Sequence, residues 1–265
     1  MKEWEIFAVK YADRNARTRA DSFIFDDNHD APHAMDYFIW VLRHGSRVIV
    51  VDTGYDDAEG TARGRPIRMS PTEALAPLNI DPKAVTDIIV THLHYDHAGG
   101  LHLFPNAQIH LQAAEMQYAT GPCMCHDTLR MPFTAGHVCE AIHRLYNGKL
   151  SFYRGDHVLE DGLSLHLIGG HSRGLQAVRV HTSAGWMVLA SDASHFYENV
   201  LKSKPFPIVV DVEDMLSGYD TLKRLANRPE LIIPGHDPLV RDLFEHGPAD
   251  HITRLDRGPI KDIPL

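Results

Sequence analysis

The chain carries Thr91-His92-Leu93-His94-Tyr95-Asp96-His97-Ala98-Gly99-Gly100 directly after the apolar run Thr86 to Thr91 (TDIIVT). That run has the length and β-branched content of a buried strand. Three imidazoles and a carboxylate therefore fall within six positions at a strand exit. If strand geometry carries through the exit, His92 and His94 point the same way, because side chains alternate with period two. Gly99 and Gly100 then permit a turn, which leaves Asp96 and His97 free to serve a second centre. Imidazole and carboxylate without thiolate suit Zn, Mn, Fe or Co, and the cluster alone does not choose among them.

Working outward, three more apolar runs end in metal-competent residues. Gly169-Gly170-His171-Ser172 follows Leu163 to Ile168, Ser191-Asp192-Ala193 follows Trp186 to Ala190, and Pro234-Gly235-His236-Asp237 follows Leu231 to Ile233. His92, His94, Asp96, His97, His171, Asp192 and His236 together supply five imidazoles and two carboxylates. That is enough for two metals sharing one carboxylate and a bridging hydroxide.

Further strands are expected at Asp36 to Leu42 and Arg47 to Asp52, a hairpin across His44-Gly45-Ser46, and at Gln108 to Leu111. Leu175 to Thr182 faces Trp186 to Ala190 across Ser183-Ala184-Gly185. Runs this continuously apolar imply sheets covered on both faces. Helices are expected at Pro71 to Leu78 with Ser70 as N-cap, Ala113 to Thr120, Gly136 to Tyr146, and Glu213 to Ala226. The last places Met215, Leu216, Tyr219, Leu222 and Leu225 on one stripe. No repeat or linker interrupts the chain, so it reads as one domain over 1–265, with Gly121 to Phe133 its least regular stretch.

The 265 residues hold 26 Lys and Arg against 35 Asp and Glu, a net charge of −9, which excludes a generally basic nucleic-acid binder. No window approaches the roughly 20 apolar residues of a membrane span. The opening MKEWEIFAVKYADRN lacks the apolar core of a secretory signal. Cys123, Cys125 and Cys139 are odd in number and clustered, a poor disulfide framework that points to a reducing, cytoplasmic setting. The unusual count is 19 histidines, which invites the metal reading that position then supports.

THLHYDHAGG resembles the signature of the metallo-β-lactamase superfamily, Asp52-Thr53-Gly54 its strand-end DTG, and GGHSRG, SDAS and PGHD its remaining ligand motifs. The resemblance implies an α/β fold, an αββα sandwich of two mixed sheets packed face to face with helices outside. It assigns His92, His94 and His171 to one metal and Asp96, His97 and His236 to the other, with Asp192 bridging. Zn is the metal it favours, with Fe, Mn or Co as alternatives. Within the superfamily the chain is most similar to the N-acyl homoserine lactone lactonases. That implies opening of a lactone by a metal-bridging hydroxide, in a quorum-quenching type of enzyme that pairs as a homodimer. Those lactonases usually place a tyrosine three residues after the bridging aspartate, and this chain has His195 there, with Tyr197 two residues on.

Asp96 is then the expected proton relay to the leaving alkoxide, and His195 the expected hydrogen-bond donor to the carbonyl or leaving group. The substrate is expected to be a small lactone or ester. Glyoxalase II-like thioester hydrolysis or phosphodiester hydrolysis on the same metals is the alternative. Phe104, Met116, Tyr118, Met124, Met131 and Phe133 fall in an insertion at about 112–150 or just before it, where they either roof the site or pack in the core. Asp52 and Asp237 are candidates for carboxylates that orient ligand imidazoles. Arg14, Arg17 and Arg19, in the polar stretch Asp13 to Asp30, read as a solvated loop or dimer contact rather than a carboxylate clamp. Cys123, Cys125, His126 and His137 lack zinc-site spacing and read as a flexible lid with free thiols.

Overall fold

The computed structural model describes residues 1–26 and 28–264. One sheet holds β1 (Glu5–Arg14), β2 (Met35–His44), β3 (Arg47–Val51), β4 (Asp87–Ile89), β5 (Gln108–Gln112) and β6 (Leu150–Tyr153), and β12 (Glu245–His246) and β13 (Ile252–Arg254) extend it. Its order is β12-β13-β1-β2-β3-β4-β5-β6. The other holds β7 (His157–Glu160), β8 (Leu163–Leu167), β9 (Gln176–Thr182), β10 (Gly185–Ser191) and β11 (Ile232–Pro234), in the order β11-β10-β9-β8-β7. Both are mixed: β3 to β6 pair in parallel beside antiparallel β1 to β3, and β11 joins β10 in parallel.

Side-chain alternation explains why these strands are apolar on both faces. Ile6 and Ala8, with Trp40 and Leu42, enter one core with Leu165, Val178 and Leu189 of the second sheet. The intervening Phe7, Val9, Ile39 and Val41 enter another with the helices on the opposite face. Those helices are α2 (Pro71–Leu75), α3 (Tyr95–Ala98), α4 (Ala113–Ala119) and α6 (Ala135–Tyr146), with the short α1 (Asp57–Ala62) and α5 (Asp127–Arg130) adding no side chain to that core. After them come α7 (Tyr197–Lys202), α8 (Val212–Leu225) and α9 (Leu239–Leu243), on the second sheet's side of the sandwich. The sandwich expected from the motifs is the one observed.

Several boundaries move for physical reasons. Ser70 caps α2 through a capping box with Glu73, but the helix tightens into a 3₁₀ turn at Ala76–Leu78, because Pro77 has no N–H to continue it. On α8, Met215, Tyr219 and Leu222 are buried, whereas Leu216 is 38% exposed, one step around the helix from the stripe assigned to it. The expected strand ends Asp52 and Thr91 lie outside β3 and β4. Asp52 takes a left-handed φ of 60°, and its carboxylate captures the Thr91 N–H at 2.7 Å. The expected irregular stretch contains a 3₁₀ turn at Pro122–Cys125 and α5.

Residues past β1 fold back over the carboxyl ends of the strands. Arg19 pairs with Asp26 and, at 2.8 Å, with Glu198, while Lys204 reaches Glu198 at 2.8 Å. Arg19 is thus tied to α7 rather than solvated. Burial alone would raise the Glu198 pKa, but Arg19 and Lys204 hold it down to about 2. A carboxylate with a depressed folded pKa stabilises above its unfolded value near 4.5 and loses that contribution as pH falls toward 2. Glu198→Gln is expected to lower the melting temperature at pH 7 and to flatten its decline between pH 4.5 and pH 2.

Candidate metal centre

Four strand exits converge. The first sheet supplies His92, His94, Asp96 and His97 after β4, and the second supplies His171 after β8, Asp192 after β10 and His236 after β11. All seven are buried. His171 Nε2 lies 2.9 Å from His94 Nδ1 and 3.2 Å from His92 Nε2. On the other side, Asp96 Oδ2 lies 3.6 Å from both His97 Nε2 and His236 Nε2. Asp192 stands between the groups and divides its oxygens. Oδ1 is 3.3 Å from His97 Nε2 and 3.0 Å from His236 Nε2, while Oδ2 is 3.3 Å from His171 Nε2.

The outer ring nitrogens explain this convergence. His171 Nδ1 is 2.7 Å from the Ile208 carbonyl, His236 Nδ1 2.8 Å from the Asp36 carbonyl, and His97 Nδ1 2.7 Å from Asp52 Oδ2. Each outer N–H donates outward, so each Nε2 lone pair faces the centre. Asp52 is therefore the orienting carboxylate expected. Asp237 is not: its oxygens accept the backbone N–H groups of Tyr197 and Leu239, both at 2.9 Å, and burial pushes its pKa up to about 6. At Gly235 a Cβ would meet Asp192 Oδ1 at 2.6 Å, so the turn before His236 admits only glycine.

The electrostatics mark a site built for cations. Burial, and then the neighbouring imidazoles, push the pKa of His92 and His94 well below the ordinary histidine value. Burial opposes charge on His97 too, yet Asp192, Asp96 and Asp52 together hold its pKa well above normal. His97 Nε2 and Asp192 Oδ1 are buried without a hydrogen-bond partner. Lone pairs facing one another in a dry cavity are unfavourable unless positive charge stands between them, and these nitrogen and oxygen donors fit two divalent cations. Among the described residues, all groups of metal-competent atoms belong to this centre. Cys123, Cys125 and Cys139 are free thiols outside it.

A small cavity of about 40 Å³ opens on the centre, with His195 in its wall. The His195 ring stacks on Phe206 at 3.7 Å, and its Nε2 lies 3.0 Å from Asp192 Oδ2. Burial lowers its pKa to about 3, so the ring is neutral. Met131 lines this cavity and also a larger apolar chamber of about 630 Å³ bounded by Met124, Phe133, Val138 and Ile142. Phe133 touches His94 edge-on. Phe104 and Met116, by contrast, are ordinary core residues.

The sequence profile of the Metallo-beta-lactamase superfamily matches residues 35–236. This chain belongs to the metallo-β-lactamase superfamily. It is 30% identical over 205 residues to an N-acyl homoserine lactonase of Bacillus cereus, covering 71% of this chain and 76% of that one. A lactonase of Bacillus thuringiensis is 31% identical over 159 residues, 59% of this chain and 58% of its own length. In three dimensions the chain is similar to a quorum-quenching N-acyl homoserine lactone lactonase, with a TM-score of 0.72, 24% identity, and 90% and 93% of the two chains covered. It is also similar to the hydrolase AbOPH, with a TM-score of 0.73, 17% identity, and 99% and 96% covered. It is a close relative of the N-acyl homoserine lactonases within the superfamily.

One member of the site was not expected from the residues. Glu115, buried in α4, accepts the Leu93 N–H at 2.9 Å, the Ser172 hydroxyl at 2.5 Å and the Gly174 N–H at 3.0 Å. It lashes the His92–His94 loop to the His171 loop. The available signal was a lone acid among the buried positions of a helix whose other buried residues are apolar or aromatic. Glu115→Ala would strand three donors and is expected to cost about 2–4 kcal/mol, measurable as a shift in urea unfolding of the metal-free protein.

Proposed function

We propose that this superfamily member is a dinuclear metal-dependent hydrolase that opens a lactone ring, of the N-acyl homoserine lactone type or a related one. The observation that carries the reading is the Asp192 carboxylate, one oxygen turned to each cluster of imidazoles. The names borne by its relatives supply the lactone. In this reading His92, His94 and His171 would hold one cation, Asp96, His97 and His236 would hold the other, and Asp192 would serve both. Zinc is the ion we favour for an imidazole-rich, thiolate-free set. Bound cations of this kind supply an activated water and a polarised carbonyl.

The chain's own residues do the rest. The Ile208, Asp36 and Asp52 oxygens hold the imidazoles in one tautomer, so no reorientation is needed when substrate arrives. Asp96 lines the small cavity and is placed to carry a proton to the departing alkoxide. His195, neutral and immobilised by Phe206, donates from Nε2 toward the substrate oxygen or Asp192. Met131, Pro132 and Ile208 keep bulk water from one side. The chamber beyond Met131 accommodates an apolar substituent. We read residues 1–265 as a single domain, with 112–150 forming the chamber wall. Among the described residues no helix is long and apolar enough to cross a membrane, and the free cysteines suit the cytoplasm.

Asp192→Ala is expected to remove at least one metal per chain by elemental analysis and to reduce lactone turnover to background. Fewer than two metals per wild-type chain, with no metal-dependent hydrolysis of any lactone, would sink the reading. His195→Phe is expected to keep the metal content and lose about a hundredfold in kcat, read by steady-state kinetics on the same preparation.

A further inference from the structure

The cavity over the metal centre has two unlike walls. Met131, Pro132 and Ile208 form an apolar one, and Arg14, Arg17 and Arg65 line the other. In a chain with nine more acids than bases, half of the arginines pair with a carboxylate. Arg19, Arg47, Arg63 and Arg254 all do, at hydrogen-bonding distance. Among the described residues, none of the three cavity arginines has a carboxylate within 4 Å. Arg65 leans on the Tyr95 hydroxyl, which contacts that of Tyr37 at 3.2 Å, and Tyr37 packs edge-on against His236. Arg17 is only 6% exposed. Its terminal nitrogens donate to the Asp21 and His33 carbonyls, and its Nε is buried with no partner. Arg14, at the end of β1, has no side-chain partner at all among the described residues.

Burying guanidinium charge without a counter-ion in contact is unfavourable: burial lowers the pKa of Arg17, Asp21 and Tyr37 offset part of that, and Arg14 and Arg65 lie close enough to add to it. Asp96 favours the charge on Arg65 from a distance, but its carboxylate and that of Asp192 lie among the imidazoles and not against a guanidinium. A negative group in direct contact with these guanidinium groups would come from outside the chain. Planar guanidinium forks match carboxylate and phosphate oxygens. The cavity is so small that such a group would sit beside the reacting carbonyl rather than at the end of a long substituent.

We propose that Arg14, Arg17 and Arg65 form a recognition site for an anionic group, carboxylate or phosphate, that the substrate carries next to the bond hydrolysed. This deepens the lactonase reading and rests on it. The preferred substrate is an acidic lactone or ester, and a neutral N-acyl homoserine lactone leaves the arginine wall unanswered. It also reverses the expectation that the arginines of this stretch are solvated.

The test compares γ-butyrolactone and N-hexanoyl homoserine lactone with γ-carboxy-γ-butyrolactone on the metal-loaded enzyme. Glutarate and inorganic phosphate are titrated calorimetrically into the metal-free protein. The acidic lactone is expected to show at least about tenfold higher kcat/KM, and Arg14→Met or Arg17→Met to shrink that preference about tenfold, mainly through KM. The same variants are expected to weaken glutarate or phosphate binding, and the tighter of the two names the anion. Equal turnover of acidic and neutral lactones, or anion binding indifferent to the arginines, overturns the proposal. Arginine-dependent anion binding in an enzyme that hydrolyses none of the lactones upholds the anion site and sinks the lactonase reading. Should Arg17→Met not fold, as its melting curve would show, the less buried Arg14 carries the test.

Discussion

Asp52 is the junction on which the site depends. Its Oδ1 accepts the Thr91 N–H, and its Oδ2 accepts the Thr91 hydroxyl and meets His97 Nδ1. One carboxylate thus ends the β3–β4 ladder, fixes where the chain leaves the sheet, and sets one metal-facing imidazole. The backbone pays with a left-handed φ of 60° at a non-glycine residue, of a kind that persists only where surroundings enforce it. Ser191, with φ 47°, does the same one sheet over, and its hydroxyl lies 2.9 Å from that of Thr91. The two strained exits brace each other beneath the metal centre.

The sandwich and the seven buried donors were legible because their signals are local. A strand exit followed by histidine or aspartate is read from a few neighbouring residues, and the motifs keep their chain order. β1 was not legible: Glu5–Arg14 mixes acids and bases with its apolar residues, and only its pairing with β2 and β13 shows that its faces are buried. Glu115 and the arginine wall were missed for the same reason. Each acts through partners far along the chain, such as Ser172 for Glu115 and Tyr95 for Arg65. Asp237 was misjudged because a carboxylate beside a ligand histidine looks identical in sequence whether it serves an imidazole or a backbone N–H.

The centre sits in a wall that is polar on one side and apolar on the other, with His195 against Phe206 and Phe133 against His94 at its edges. The metal-competent donors and the rest of the cavity lining therefore come from separate parts of the chain. The imidazoles and carboxylates come from strand exits, where backbone geometry is rigid. The rest of the cavity lining comes largely from the end of β1, the segment after α1, and the stretch around Met131.

The origin of the donors has a mechanical consequence. Four belong to one sheet and three to the other, so Asp192 reaches across the seam between the two halves of the sandwich. Ions bound there would add a cross-link between layers joined by apolar packing and by a few polar ties such as Thr91 to Ser191 and Glu115 to Ser172. Any ion that binds the folded chain and not the unfolded one adds to its stability in proportion to the logarithm of its free concentration. The resistance of this sandwich to being pulled apart thereby becomes a gauge of the metal supply around it.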